Sequence, residues 1–173
     1  MTVSERIEAL KAWTGKSNVS ILFDSTVNEF TNDGLFETVR GKWDVALIAI
    51  TSDGYVFGGY YSTPALRQEE RLNDPNMFLF SLESHGRCAT PKQFPVKHKQ
   101  MFNVYTYYFK SNAPGAFVYF GTVQGGVFLG NEQSRSYASR ASAGFSGIEN
   151  KVLGGTPDWT PFTCTRLLAV QLM

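Results

Sequence analysis

Residues 45–61, VALIAITSDGYVFGGYY, decide the fold because they describe a buried β-hairpin whose second strand carries two adjacent glycines. The first six residues are apolar at odd and even positions alike, as in a strand covered on both faces. Asp53-Gly54 is the dipeptide typical of a two-residue type I′ turn, and this turn would align Gly58 with Ala49. The stretch therefore predicts antiparallel β structure with a sharp bend or a close approach at Gly58 and Gly59.

The rest of the chain repeats this pattern of short apolar or aromatic runs separated by Gly, Pro and Asn, which is typical of an antiparallel sandwich. Two short helices are predicted at about residues 4–13 and 33–40. Further strands are predicted at residues 19–23, 77–82, 103–110, 116–120 and 127–130. Residues 66–73 are predicted to form an exposed loop or helical turn, and residues 134–147 an extended surface segment. The expected fold is mainly β, a two-sheet antiparallel β-sandwich with a few short helices.

A last strand is predicted near the C-terminus, where apolar residues alternate with polar ones. Cys164 is placed on the same buried face as Leu168 and Val170, with Arg166 out of pattern. Cys164 is thus expected to be a core thiol and Cys88 an accessible loop thiol. Two cysteines far apart in sequence are not a disulfide framework, so reduced thiols are expected.

Length and charge point to one soluble domain spanning residues 1–173. With 173 residues and 43% hydrophobic content, the chain can bury one sizeable core, and no linker or repeat divides it. The formal net charge of +1 argues against a dominant nucleic-acid or anionic-membrane surface. The N-terminal residues are too charged for a secretory leader, and no run reaches membrane-spanning length. The expected location is cytoplasmic, with nuclear or peripheral endomembrane association left open.

Motifs for catalysis or for metal binding are weak. His85 and Cys88 have a spacing that could serve a metal or a thiol nucleophile. A structural zinc site needs four ligands, and a thiol nucleophile needs its base within hydrogen-bond reach. The spacing of one His and one Cys establishes neither. Residues 144–147, GFSG, lack the spacing and the strand-to-helix setting of a nucleophile elbow. No catalytic residue, metal ligand or cofactor is predicted. The sequence favours a non-catalytic domain over an enzyme.

Two segments resemble the hallmark core of the TLDc domain, which occurs in oxidation-resistance proteins. They are GKWDVALIAITSDGYVFGGYYSTP at residues 41–64 and NDPNMFLFSLES at residues 73–84. The run ILFDSTVNEF at residues 21–30 is similar to the start of that domain. Residues 120–132, FGTVQGGVFLGNE, resemble its glycine-rich loop but have a less continuous glycine run. The resemblance covers nearly the whole chain.

The resemblance implies a β-sandwich that protects against oxidative stress, and several members of the family bind the vacuolar proton pump. A protein partner such as a subunit of that pump is therefore expected, reached without an integral membrane segment. The partner-binding residues that the resemblance implies come from the two glycine-containing motifs. They are Gly58, Gly59, Tyr60, Gly121, Gly125, Gly126 and Glu132. Of the glycine pair, Gly58 is expected to serve packing and Gly59 to lie nearer the surface.

Two other functions stay open at this point. One is a weak enzyme, either a thiol-based peroxide scavenger using Cys88 or a hydrolase built on polar loops. The other is a regulatory or nucleic-acid-complex binder acting through the basic run Lys92–Lys99. That run is expected to be a solvated loop face, and by default no nucleic-acid partner is expected. Whether the chain is a whole protein or one part of a longer one stays open too.

Overall fold

The computed structural model describes residues 3–97, 104–110, 116–131, 136–149 and 151–173. Three helices and eleven strands lie within these ranges, and every paired strand is antiparallel. The helices are α1 (Val3–Thr14), α2 (Asn32–Val39) and α3 (Ala141–Gly144). The strands are β1 (Val19–Asp24), β2 (Val45–Thr51), β3 (Val56–Tyr61), β4 (Arg71–Asn73), β5 (Phe78–Glu83), β6 (Lys92–Pro95), β7 (Val104–Tyr108), β8 (Val118–Thr122), β9 (Gly126–Leu129), β10 (Tyr137–Ser139) and β11 (Cys164–Leu172).

The strands form two sheets, which confirms the predicted mainly β sandwich. The first sheet has the order β1-β11-β2-β3-β5-β6, and the second has the order β10-β9-β8-β7-β4. One apolar core lies between the sheets and includes Phe57, Phe120 and Leu167. A second, smaller core lies on the outer face of the first sheet, where α1 packs through Leu10 and Trp13.

Both predicted helices are present at nearly the predicted bounds. In α2 the apolar residues Leu35, Phe36 and Val39 are buried, and the Thr31 side chain caps the helix by accepting a hydrogen bond from the Gly34 amide at 3.1 Å. None of the helices among the described residues has the length and apolar character needed to cross a lipid bilayer.

The central hairpin is present, but its predicted register is wrong by one residue. Its loop has three residues rather than two, because the Thr51 amide donates to the Tyr55 carbonyl at 3.0 Å and Gly54 alone takes the positive φ, +83°. A type I turn followed by a left-handed glycine produces this loop, and Asp53-Gly54 suits it as well as a type I′ turn. Gly58 consequently pairs with Ile48 instead of Ala49.

The alternation predicted for the last strand, β11, is also wrong. A β-bulge between Cys164 and Arg166 shifts the alternation by one position, so that Cys164 shares the inner core with Leu167 while Leu168 and Val170 face the α1 side. Cys164 is nevertheless fully buried, as predicted, and Cys88 is half-buried.

Three segments predicted as loops contain strands. Residues 71–73 form edge strand β4, and residues 92–95 form β6, so the start of the basic run belongs to a sheet. Residues 134–147 were expected at the surface, yet the described part holds β10 and α3 and buries Ser136 and Phe145 completely. Short strands such as these have too few residues for a period to be visible, and their pairing with neighbours determines them.

Candidate functional site

The glycine pair of β3 lies in the interior of the molecule. A Cβ atom added to Gly58 would stand 1.8 Å from the Leu47 carbonyl oxygen, and one added to Gly59 would stand 2.4 Å from the Phe120 ring. Gly59 therefore points into the core between the sheets, against the expectation that it lies near the surface. Both glycines have a packing role, and their part in partner binding stays a prediction.

The glycine-rich segment meets the hairpin motif at Phe120. A Cβ atom on Gly126 would stand 2.1 Å from the Phe120 carbonyl oxygen, and Gly125 is equally close to the backbone of Arg140 and Ser139. Gly59 touches the ring of the same phenylalanine from the opposite sheet. The two motifs that sequence resemblance linked are thus brought together, as the packing contact between the sheets. Glu132 lies outside the described residues.

Gly121 serves the outer face of the second sheet. Tyr119 lies across it, with ring atoms 2.2 Å from where its Cβ would be, and the Tyr119 hydroxyl donates to the Thr122 carbonyl at 2.8 Å. Tyr119 belongs to a cross-strand row of aromatic side chains with rings 4.4 to 4.6 Å apart. The row runs through Tyr119, Phe128 and Tyr137, and Tyr105 packs beside Tyr119 with ring centroids 5.4 Å apart. Tyr119 is buried by these neighbours, whereas Phe128 and Tyr137 are half-buried.

Tyr60, the remaining predicted site residue, lines a surface groove of about 420 Å³ that we call the Asp44 groove. The groove opens where the C-terminal end of α1 meets the ends of β3, β5 and β6. Its walls combine aromatic rings with polar groups. They include Trp13, Asp44, Tyr60, Asn76, Phe78 and Gln93.

The aromatic wall of the groove is made by three side chains from separate elements. Tyr60 and Phe78 stack with ring centroids 4.7 Å apart, and Trp13 meets Phe78 edge-on at 6.1 Å. Strand alternation explains the placement, because Tyr60 and Phe78 are paired neighbours on the face of the first sheet that α1 covers.

Asp44 provides the negative charge of the groove. Its carboxylate accepts hydrogen bonds from the Tyr60 hydroxyl at 2.6 Å and from the Lys16 ammonium at 2.7 Å. Its backbone is held in the left-handed region, φ +55°, by bonds to the carbonyl of Ser62 and from the amide of Leu172. Burial, followed by the hydrogen bond to Asp44, raises the pKa of Tyr60 far above its ordinary value, so the phenol stays protonated.

A second carboxylate, Asp74, lies behind the groove and is only 1% exposed. It accepts hydrogen bonds from the backbone amides of Ser62, Thr63 and Asn76 and from the Ser62 hydroxyl. These bonds satisfy the buried charge and hold the loop after β3 in place. Its negative charge also contributes to raising the pKa of Tyr60.

The family model of the TLDc domain matches residues 3–165. The chain belongs to the TLDc family. No curated protein matches it. The match includes both glycine motifs and the whole Asp44 groove, and it makes this a TLDc domain of the oxidation-resistance type.

Sequence reasoning did not single out Asp44, Trp13 or Phe78, although Asp44 and Phe78 lie within the two quoted TLDc motifs. The available signal was the position of Asp44, a charged residue directly before a strand that is apolar from Val45 to Ile50. Trp13 carried no such signal, because its contact with Phe78 depends on how α1 docks on the sheet.

The thiol and basic-run alternatives map to other places on this TLDc domain. The His85 ring packs edge-on against Tyr55, and its Nε2 atom lies 2.7 Å from the Asp53 carbonyl oxygen, so it is engaged with the hairpin loop. Among the described residues, no three His, Cys, Asp or Glu side chains cluster as a metal site. Lys92 reaches the Gly147 carbonyl at 3.3 Å. His98 and Lys99 lie outside the described residues.

Proposed function

We propose that this TLDc domain is a non-catalytic docking module that binds a partner protein through the Asp44 groove. The vacuolar proton pump is the proposed partner, and tolerance to oxidants is the cellular outcome. The observation that carries the proposal is the groove itself, because its lining combines three aromatic side chains with a carboxylate. Aromatic anchors next to charged groups are typical of protein-binding hot spots.

The position of the groove also supports docking. Tyr60 immediately follows the buried glycine pair, so the strand that anchors the groove is fixed by contacts with both neighbouring strands. A groove built on a rigid strand needs little reordering when a partner binds, which favours affinity. We expect the interaction to occur in the cytoplasm, at the surface of the endomembranes that carry the pump.

The experiment is a binding measurement between the purified domain and the purified soluble sector of the proton pump. Asp44→Asn should weaken binding about tenfold or more, because one charged partner at the centre of the site is lost. The matched control is Glu8→Gln, which removes an exposed carboxylate paired with Lys11 on the outer side of α1. Absence of binding by the folded wild-type domain would contradict the pump as partner. Equal affinity of the wild type and Asp44→Asn would contradict the groove as the site.

The cellular part of the proposal is tested separately. Cells that lack the protein should regain peroxide tolerance with the wild type and with Cys88→Ser, but not with Asp44→Asn. Loss of protection by Cys88→Ser, together with peroxide turnover by the purified wild type, would instead establish the thiol enzyme.

A further inference from the structure

Asp44 already bonds a lysine of its own chain. The Lys16 ammonium bonds one carboxylate oxygen of Asp44 at 2.7 Å, and the Lys16 side chain is one-third exposed. Lys16 follows Gly15, which ends α1 with a positive φ of +69°. The groove therefore shows what kind of group its carboxylate accepts.

We infer that the groove binds a lysine side chain of the partner protein, which takes the place of Lys16 on Asp44. The inference rests on the proposed docking function and names the chemistry that the groove recognises. Charge complementarity is the first argument for it. Asp44 and Asp74 place two carboxylates at or behind the groove, and Lys16 is the cation bonded to Asp44.

The aromatic wall is the second argument. Trp13 is the more open ring of this wall, because Tyr60 and Phe78 are buried and stack on each other, and an aromatic ring attracts an ammonium group at its face. The methylene stem of a lysine also packs well against such rings while its charged end reaches a carboxylate. The groove provides both kinds of contact on adjacent residues.

The cation that bonds Asp44 within this chain is an ammonium group and not a guanidinium group. One oxygen of Asp44 accepts from the Tyr60 hydroxyl at 2.6 Å and the other from the Lys16 ammonium at 2.7 Å, so a partner that replaces Lys16 meets the oxygen that Lys16 leaves. Arginine recognises carboxylates best in a bidentate manner through both oxygens, whereas lysine acts as a point charge.

Displacement of Lys16 is energetically easy. An ion pair of this exposure contributes at most about a fivefold factor to an equilibrium, because water screens the charges and holding a long side chain costs entropy. A partner lysine that also contacts the aromatic wall would make more favourable interactions than Lys16 loses. Lys16 thus acts as an internal competitor that lowers affinity for the partner.

The test uses small probes followed by NMR of the Trp13 indole, assigned with Trp13→Phe. The probes are N-acetyl-lysine amide, the matching norleucine and arginine amides, and choline. The lysine probe should shift the indole signal with the lowest dissociation constant, and norleucine should not bind. Stronger binding of arginine or choline than of lysine would overturn the inference.

Two substitutions sharpen the test. Lys16→Met should tighten lysine binding about two- to fivefold, the factor that an exposed ion pair supplies, because the competitor is gone. Asp44→Asn should weaken it about tenfold or more, and asparagine tolerates the left-handed backbone at that position. Lys11→Met is the matched control and should change nothing. Weaker binding by Lys16→Met would show that Lys16 is structural and would overturn the inference.

The inference and the proposed function fail separately. If the pump sector binds and Asp44→Asn weakens it, but the lysine probe does not bind and Lys16→Met has no effect on the pump, the groove docks a partner by other chemistry. If the lysine probe binds as described and the pump does not, the lysine site stands and the partner is a different protein.

Discussion

Two neighbouring parts of β3 differ in what their residues do. Gly58 and Gly59 are enclosed by backbone and by Phe120, so the space for any side chain at these positions is already filled. The next residue, Tyr60, is also buried, but its ring lines the Asp44 groove and its hydroxyl bonds Asp44 at 2.6 Å. The same TLDc motif therefore contains a packing element and a residue that lines the groove. Substitutions in the first should change stability, and substitutions in the second should change binding.

The largest effect is expected at the glycine pair. Gly58→Ala should lower the free energy of unfolding by about 3 kcal/mol or more, because its methyl group would meet the fixed Leu47 backbone. Gly59→Ala should lower it by about 1–3 kcal/mol, since the Phe120 ring can shift. Urea unfolding measures both values, with Ser52→Ala in the exposed hairpin loop as the control. Near-native stability of both variants, with lost partner binding, would show that the glycines form a docking surface.

The sequence allowed prediction of the architecture because strong apolar periods and turn residues dominate it. Residues 45–61 predicted the hairpin correctly, although one dipeptide cannot distinguish a two-residue loop from a three-residue loop, and the register slipped. The bulge at β11 was not predictable, since it depends on pairing with β2 and not on the order of residues.

The candidate site was predictable only in part. Tyr60 came from the resemblance, and the glycines beside it were named with it although they lie in the interior. Trp13 joins Tyr60 only after α1 has docked on the first sheet, across more than 40 residues of sequence, and Asp44 meets Tyr60 only when β2 and β3 pair. A groove formed by three distant segments leaves no local pattern, so its charge and aromatic content had to be read from the structure.

The next largest effect on stability is expected at the buried cysteine, which tests the packing of the interior. Cys164→Ser should lower the free energy of unfolding by about 1–3 kcal/mol, because a hydroxyl replaces a fully buried thiol. The Arg166 carbonyl, 3.4 Å from Sγ, offers the new hydroxyl an acceptor and favours the lower end of that range. Cys88→Ser is the matched variant and should have little effect. Rapid alkylation of Cys164 in the native state would contradict its burial.

Tyr60→Phe tests the part of β3 that lines the Asp44 groove. The substitution removes the hydroxyl bonded to Asp44 and keeps the ring stacked on Phe78, so stability should fall by about 1–2 kcal/mol. It also frees the second oxygen of Asp44, so the arginine amide should gain affinity relative to the lysine amide. Competition NMR with the two probes measures this ratio. An unchanged ratio would show that the Tyr60 hydroxyl does not select the ligand.

The smallest effect is expected at Asp24, whose carboxylate differs from that of Asp44 in having both oxygens bonded by one guanidinium. Arg166 reaches it through Nε at 3.0 Å, and this bond is the main reason why the pKa of Asp24 is held far below its ordinary value. A carboxylate with a lowered folded-state pKa stabilises the fold above its unfolded pKa of about 4, and that contribution disappears as the pH falls through the folded-state pKa. Because Arg166 is 42% exposed, we expect at most about 1 kcal/mol. Wild type should therefore exceed Asp24→Asn in urea stability at pH 7, and the difference should narrow progressively below pH 4. A difference that is constant with pH would mean that the asparagine disturbs the turn through Thr26 rather than removing a charge interaction.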